Sequence, residues 1–153
     1  MHFRDKADLV IRLTESLLER IAVEAGAWWE PGTTREQAGA ATRRLVAIYA
    51  EHGDLFAALT ETAAYDAGLR EVQESMLDRH ASPLAEVIEA GKRTGRVRDV
   101  PTAETVTALA WMVQGACFRM ARDADEGALD RLAEALAAII WHSLYRDEQP
   151  IGR

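Results

Sequence analysis

A single cysteine, Cys117, is all the thiol this chain of 153 residues carries. It therefore holds no internal disulfide and suits a reducing compartment, the cytoplasm. Long hydrophobic runs are missing too: no stretch of about 18 or more apolar residues occurs, which excludes a helical membrane span. The first residues carry charges every few positions and lack the apolar core of a signal peptide. Tyr49, Leu77 and Ile139 stand three positions before His52, His80 and His142. The Glu-x-x-His motif of di-iron helical bundles is thus absent. No His-x-x-x-His pair occurs, and one cysteine cannot build a structural zinc site. A nucleophile elbow, a phosphate loop and a dinucleotide fingerprint are missing as well. No metal, cofactor or catalytic constellation follows from the residues, and the chain reads as a non-enzyme. Basic residues are in deficit, 18 against 25 acidic ones, for a net charge of −7. Holding nucleic acid requires a basic face, so these residues alone are not expected to do it.

What is present is helix. Hydrophobic residues make up 48% and charged residues 28%, ordinary for one globular domain large enough for a real core. Abundant alanine and scattered β-branched residues favour helix over strand. From Arg4 to about Ala27, Val10, Leu13, Leu17, Ile21 and Trp28 recur at three- and four-residue steps, beside a second stripe through Ile11, Leu18, Ala22, Ala25 and Trp29. Glu30-Pro31-Gly32 stops this helix. Thr33 with Glu36 predicts a capping box for the next, which buries Leu45, Val46 and Tyr49 and ends at His52-Gly53. Asp54 is expected to cap a short helix from Leu55 to about Tyr65, with Leu55, Phe56 and Leu59 inside. A longer pattern runs from about Ala67 to Thr94 through Leu69, Val72, Met76, His80, Leu84, Val87 and Ile88. Ser82-Pro83 either kinks it or divides it into two abutting helices. Thr102 is expected to cap a helix reaching about Ala121, and the last helix spans roughly Glu126 to Tyr145. Both of these helices are apolar on two sides, which a second copy of the chain would cover economically. The expected fold class is all-α, about six helices in a single domain over residues 1–153.

Some residues carry two readings. His80 is either a hydrogen-bonded core histidine or a polar anchor in an apolar pocket. Cys117 is a small core residue. The four tryptophans fill the core, and Trp28 and Trp29 at a helix end also suit a lined cavity.

The opening Met1-His2-Phe3-Arg4-Asp5-Lys6-Ala7-Asp8-Leu9-Val10 resembles the junction at which TetR-family transcription regulators pass from their helix-turn-helix into helix 4. His52-Gly53-Asp54-Leu55-Phe56-Ala57-Ala58-Leu59 resembles the family's turn into helix 6. Ser82-Pro83-Leu84 to Gly95 resembles the end of helix 7, and Pro101-Thr102-Ala103-Glu104 the start of helix 8. The resemblance covers residues 1–153 and implies a TetR-like regulatory domain, helices 4 to 9, in a bacterial regulator, most simply a repressor. Residues 1–6 would be a remnant of the junction with an absent DNA-binding domain, leaving Phe3, Leu9 and Val10 uncovered. The last two helices would pair with their copies in a homodimer, with Ala135, Ala138, Ile139 and His142 at the interface. Helices 4, 5, 7 and 8 would surround a small hydrophobic or aromatic effector, with Leu45, Tyr49, Met76, His80, Trp111, Gln114 and Phe118 as candidate cavity residues. The effector would shift helix 4 and so control DNA binding by the full-length protein. The alternative is a reader-less dimerisation and ligand-binding module that never contacts DNA directly.

Overall fold

The computed structural model describes residues 3–26, 28, 30 and 32–146; within its helices the side chains at 3–7, 72–73, 76–77 and 79–81 are not described. Expectations for Phe3, Trp29, Pro31, Val72, Met76 and His80 lie outside the described residues. Six α-helices follow one another: α1 (Phe3–Gly26), α2 (Arg35–Glu51), α3 (Gly53–Ala63), α4 (Ala67–Arg93), α5 (Thr102–Met120) and α6 (Glu126–Leu144). Among the described residues, no helix is long and apolar enough to cross a membrane, and no group of three His, Cys, Asp or Glu is placed to hold a metal ion.

The helices form where their periodicity and caps demand, with a few registers different from expectation. On α1 the buried line runs through Thr14, Leu17 and Ile21, with Val10 half-buried, while Leu13 is 48% exposed. The spacing 10, 14, 17, 21 follows the 3.6-residue period closely and displaces Leu13 from the stripe. Threonine is tolerated there because its hydroxyl donates to the Val10 carbonyl at 2.6 Å, so nothing polar is left unpaired. Leu9 is exposed.

The capping box of α2 sits one residue later than expected. Gln37 N donates to Thr34 Oγ1 at 3.2 Å, and Thr34 N donates to Gln37 Oε1 at 2.9 Å. The run Thr33-Thr34-Arg35-Glu36-Gln37 permits both registers; Thr33 instead closes the preceding turn onto the Glu30 carbonyl at 2.8 Å. Helix α3 starts at Gly53 with His52 as the shared joint, so Asp54 falls in its first turn rather than before it. Helix α4 is one rod with Pro83 inside, capped by Asp66, whose Oδ1 accepts from Leu69 N at 3.0 Å. Pro101, not Thr102, precedes α5. Thr102 is the first helical residue, and its hydroxyl donates to the Glu89 carboxylate while accepting from Lys92 Nζ at 2.8 Å. These bonds, Thr102 foremost, hold the Glu89 carboxyl below its ordinary pKa and fasten α5 to α4. Asp125 caps α6, its Oδ1 accepting from Ala128 N at 2.7 Å.

Two buried clusters share α2, α5 and α6. One joins Leu17 and Ile21 to Leu45, Tyr49, Phe56, Cys117 and Leu132. The other joins Trp28 and Ala38 to Leu84, Ile88, Val106, Leu109, Ile140 and Leu144. The second is closed by the segment after α4. Gly95 takes φ +74, letting Arg96 N and Val97 N turn back onto the Gly91 carbonyl at 2.9 and 3.0 Å. A Cβ on Gly91 would overlap the Val97 side chain, so this close approach needs glycine. Val97 then pairs with Tyr145 in an isolated antiparallel bridge. The Tyr145 hydroxyl donates to the Trp28 carbonyl at 3.3 Å, and Trp28 Nε1 donates to Thr42 Oγ1 at 2.9 Å. Arg96 lies over the Tyr145 ring and donates to the Thr33 carbonyl.

Candidate functional site

The C-terminal half of α2 delivers Tyr49 to the point where α3 and α5 converge. Because α3 follows after a single joint residue, Phe56 comes back against Tyr49, and the two rings stack at 4.7 Å between centroids. Phe118 from α5 meets Phe56 at 5.1 Å and the edge of Tyr49 at 5.7 Å. Such spacings are those of favourable offset and edge-on ring pairs. Beside this trio lies a cavity of about 360 Å³ between α2, α3 and α5.

On α3 the wall is made by Gly53, Phe56, Ala57, Thr60 and Glu61, the i, i+3, i+4, i+7, i+8 pattern of one helix face. Cys117 and Phe118 supply the α5 side, and Arg122 stands just beyond that helix. Gly53 makes room for Arg122: a Cβ there would come within 2.9 Å of the arginine Cγ. The Arg122 guanidinium, at the cavity wall, pairs with the exposed Asp54 carboxylate at 2.8 Å. Thr60 and Glu61 are also exposed. The mouth is thus polar and carries both signs of charge, while the interior is aromatic and apolar.

Two polar groups on this side of the core lack hydrogen-bond partners among the described residues. Tyr49 is only 6% exposed and lines the cavity, and no hydrogen bond of its hydroxyl occurs among the described residues. Burial, then the neighbouring Cys117, push its pKa far above the ordinary tyrosine value, so the phenol stays protonated and remains a donor. Burial likewise pushes the Cys117 thiol up to about 12, which makes it a poor nucleophile. The second group is Gln114 on α5, 9% exposed, whose Oε1 is enclosed and unpaired. Gln114 and Phe118 are four residues apart, hence neighbours along one side of the helix. An enclosed amide oxygen without a partner costs the protein about 1–3 kcal/mol; Gln114 itself is not among the residues that line the cavity.

Of the residues expected to line a cavity, Tyr49 and Phe118 are brought together in it. Leu45 lies one turn before Tyr49 in the same buried cluster, and Gln114 lies one turn before Phe118. Trp111 is 52% exposed on the outer side of α5. Met76 and His80 on α4 lie outside the described residues. Phe56, Ala57, Thr60 and Arg122 were not anticipated as lining; the glycine-led stripe from Gly53 to Glu61 carried the signal. On α6, Ala135, Ile139 and His142 are exposed and Ala138 is half-buried, all on the side turned away from the core.

Comparison with known proteins places this architecture. A family profile described as "Transcriptional regulator EthR, C-terminal domain" matches residues 39–146, well over half of the chain. Among solved structures, the chain is similar to a putative TetR-family transcriptional regulator from Mesorhizobium loti MAFF303099. The TM-score is 0.68 at 15% identity, covering 91% of this chain and 73% of that one. A search of curated proteins finds no match. With six helices in this order and a profile running from early α2 to the end of the described chain, the protein belongs to the family of TetR-type regulator C-terminal domains typified by that of EthR.

Proposed function

We propose that this chain is the effector-sensing and dimerisation portion of a TetR-like transcriptional repressor. The cavity between α2, α3 and α5 receives a small hydrophobic effector. The observation that carries this reading is an apolar, aromatic-walled cavity lined by Tyr49, whose hydroxyl has no hydrogen-bond partner among the described residues. Ligand sites combine just these features, a greasy wall and a few unpaired polar groups that fix orientation. The protein therefore binds rather than catalyses, in keeping with a raised Cys117 pKa that withholds a thiolate.

Sensing requires a way out for the signal. The cavity wall α3 packs on α1 through Leu59 and Ala63 against Val10 and Ile11. An occupant that spreads α3 from α5 moves α1 with it. In a dimer this alters the spacing of DNA readers carried at the N-terminal ends of α1, a shift between two shapes that requires the effector to prefer one of them. The partner copy packs on α5 and α6, where Trp111 and Ile139 are exposed beside the small Ala135 and Ala138. Small residues there permit close helix approach.

A thermal-shift screen against a panel of aromatic and aliphatic small molecules, with bound mass read by native mass spectrometry, tests the sensing role. Compounds that raise the melting temperature in wild type and lose that effect in Ala57→Phe support it. A panel that gives no shift and no bound mass overturns it. Mass in solution tests the dimer: a monomer at micromolar concentration contradicts the proposed interface.

A further inference from the structure

We infer that the cavity takes an uncharged, planar aromatic molecule of one or two rings bearing a hydrogen-bond acceptor, which the Tyr49 hydroxyl recognises. This rests on the sensing role proposed above and names the chemistry of its ligand. A volume of about 360 Å³ is near the lower end for small-molecule sites, enough for a mono- or bicyclic compound. The wall of Tyr49, Phe56 and Phe118, with centroid spacings from 4.7 to 5.7 Å, offers ring faces and edges rather than a flexible aliphatic lining. A flat ring extends that stack at the distances aromatic pairs prefer.

The polar inventory of the cavity decides the rest. Thr60 spends its proton on the Phe56 carbonyl at 2.9 Å. Arg122 is engaged by Asp54 at the mouth, and Glu61 is exposed to solvent. No unpaired charge stands inside, so a charged ligand would lose its hydration with nothing to replace it. The Tyr49 hydroxyl is the donor of this lining left without an acceptor among the described residues, and a phenol donates better than it accepts. A ligand that brings a carbonyl or ether oxygen to it completes the site; one that brings only hydrocarbon leaves that proton unmet.

The test uses four probes on the whole chain by calorimetry and ligand-observed NMR: acetophenone, ethylbenzene, cyclohexyl methyl ketone and benzoate. Acetophenone is expected to bind best. Ethylbenzene, lacking the oxygen, should bind roughly three- to tenfold more weakly, the worth of one neutral hydrogen bond. Cyclohexyl methyl ketone, with the same oxygen on a saturated ring, should also be weaker, and benzoate weakest. In Tyr49→Phe, acetophenone should fall to the affinity of ethylbenzene while ethylbenzene itself is unchanged. In Ala57→Phe, which fills the cavity from α3, all binding should disappear with helicity retained. Equal affinity of acetophenone and ethylbenzene for wild type, an equal loss of both in Tyr49→Phe, or tight benzoate binding overturns the inference. So does binding that survives Ala57→Phe. If the four probes fail while other compounds still shift the melting temperature and lose that effect in Ala57→Phe, the ligand class is wrong and the sensing role stands. If no compound of any class binds, both fall.

Discussion

Replacing Gln114 by methionine should make the ligand-free protein more stable. Gln114 is 9% exposed and its Oε1 has no partner among the described residues. The folded chain therefore carries the desolvation cost of an amide oxygen, about 1–3 kcal/mol, with no compensating bond. Methionine is unbranched, similar in length, and adapts to irregular surroundings. The swap removes the polar atom without opening a cavity, and its packing cost is below about 1.5 kcal/mol. The net expectation is a gain of about 1 kcal/mol, or roughly 2–4 °C in Tm for a domain of this size. Urea titration and thermal melting by circular dichroism, at equal protomer concentration for both proteins, measure it. Stability that drops by about 1 kcal/mol or more with an unchanged denaturant slope would refute the reasoning, because it would mean the carbonyl is already satisfied in the free protein.

Gly91→Ala should destabilise by about 1–3 kcal/mol through overlap with Val97, and Val97→Ala should recover part of the loss in the double variant. The Cys117 thiol is pushed up from its ordinary 9.0 to about 12 by burial. Its contribution is fully present below the unfolded value and is lost as pH rises toward the folded one, so stability should decline between about pH 9 and 12. Cys117→Ala should flatten that decline in urea titrations across the range, and an unchanged slope would contradict the assignment. Ala135→Glu, on the outward side of α6, should halve the mass measured by light scattering while leaving the helical signal intact. A dimer that persists would move the interface elsewhere.

The helix order was legible because it rests on period and punctuation. Pro-Gly, His-Gly and Asp caps mark the breaks, and a stripe such as Val10, Leu17, Ile21 keeps one face apolar. Registers were harder. Thr33 and Thr34 each stand three residues before an acceptor-bearing side chain, and the choice between them is made by the turn to Glu30, a contact absent from any local pattern. Leu13 is apolar yet falls off the buried line of the helix, whereas Thr14 is inside because one backbone carbonyl satisfies it. At the site, Tyr49 and Phe118 could be anticipated from the family likeness. The stripe of Gly53, Phe56, Ala57 and Thr60 could be read as a helix face, but whether that face meets core or void depends on how α3 folds back after His52. The unpaired state of Gln114 is a property of three-dimensional surroundings, and a list of residues cannot express it.

The clasp around Tyr145 has a kinetic consequence. Its hydroxyl and the Trp28 carbonyl are 117 positions apart in the chain, and the Arg98 bonds to Leu144 and Tyr145 close a second long loop. Contacts this distant repay the entropy of closure only after the helices between them are in place. They are therefore expected to form late and break early, and their loss should raise the unfolding rate more than it slows folding. The indole of Trp28, held to Thr42 at the same junction, then acts as a built-in reporter. With Trp29, Trp111 and Trp141 replaced by Phe, its fluorescence should change at the moment the last helix lets go, before most of the helical signal is lost.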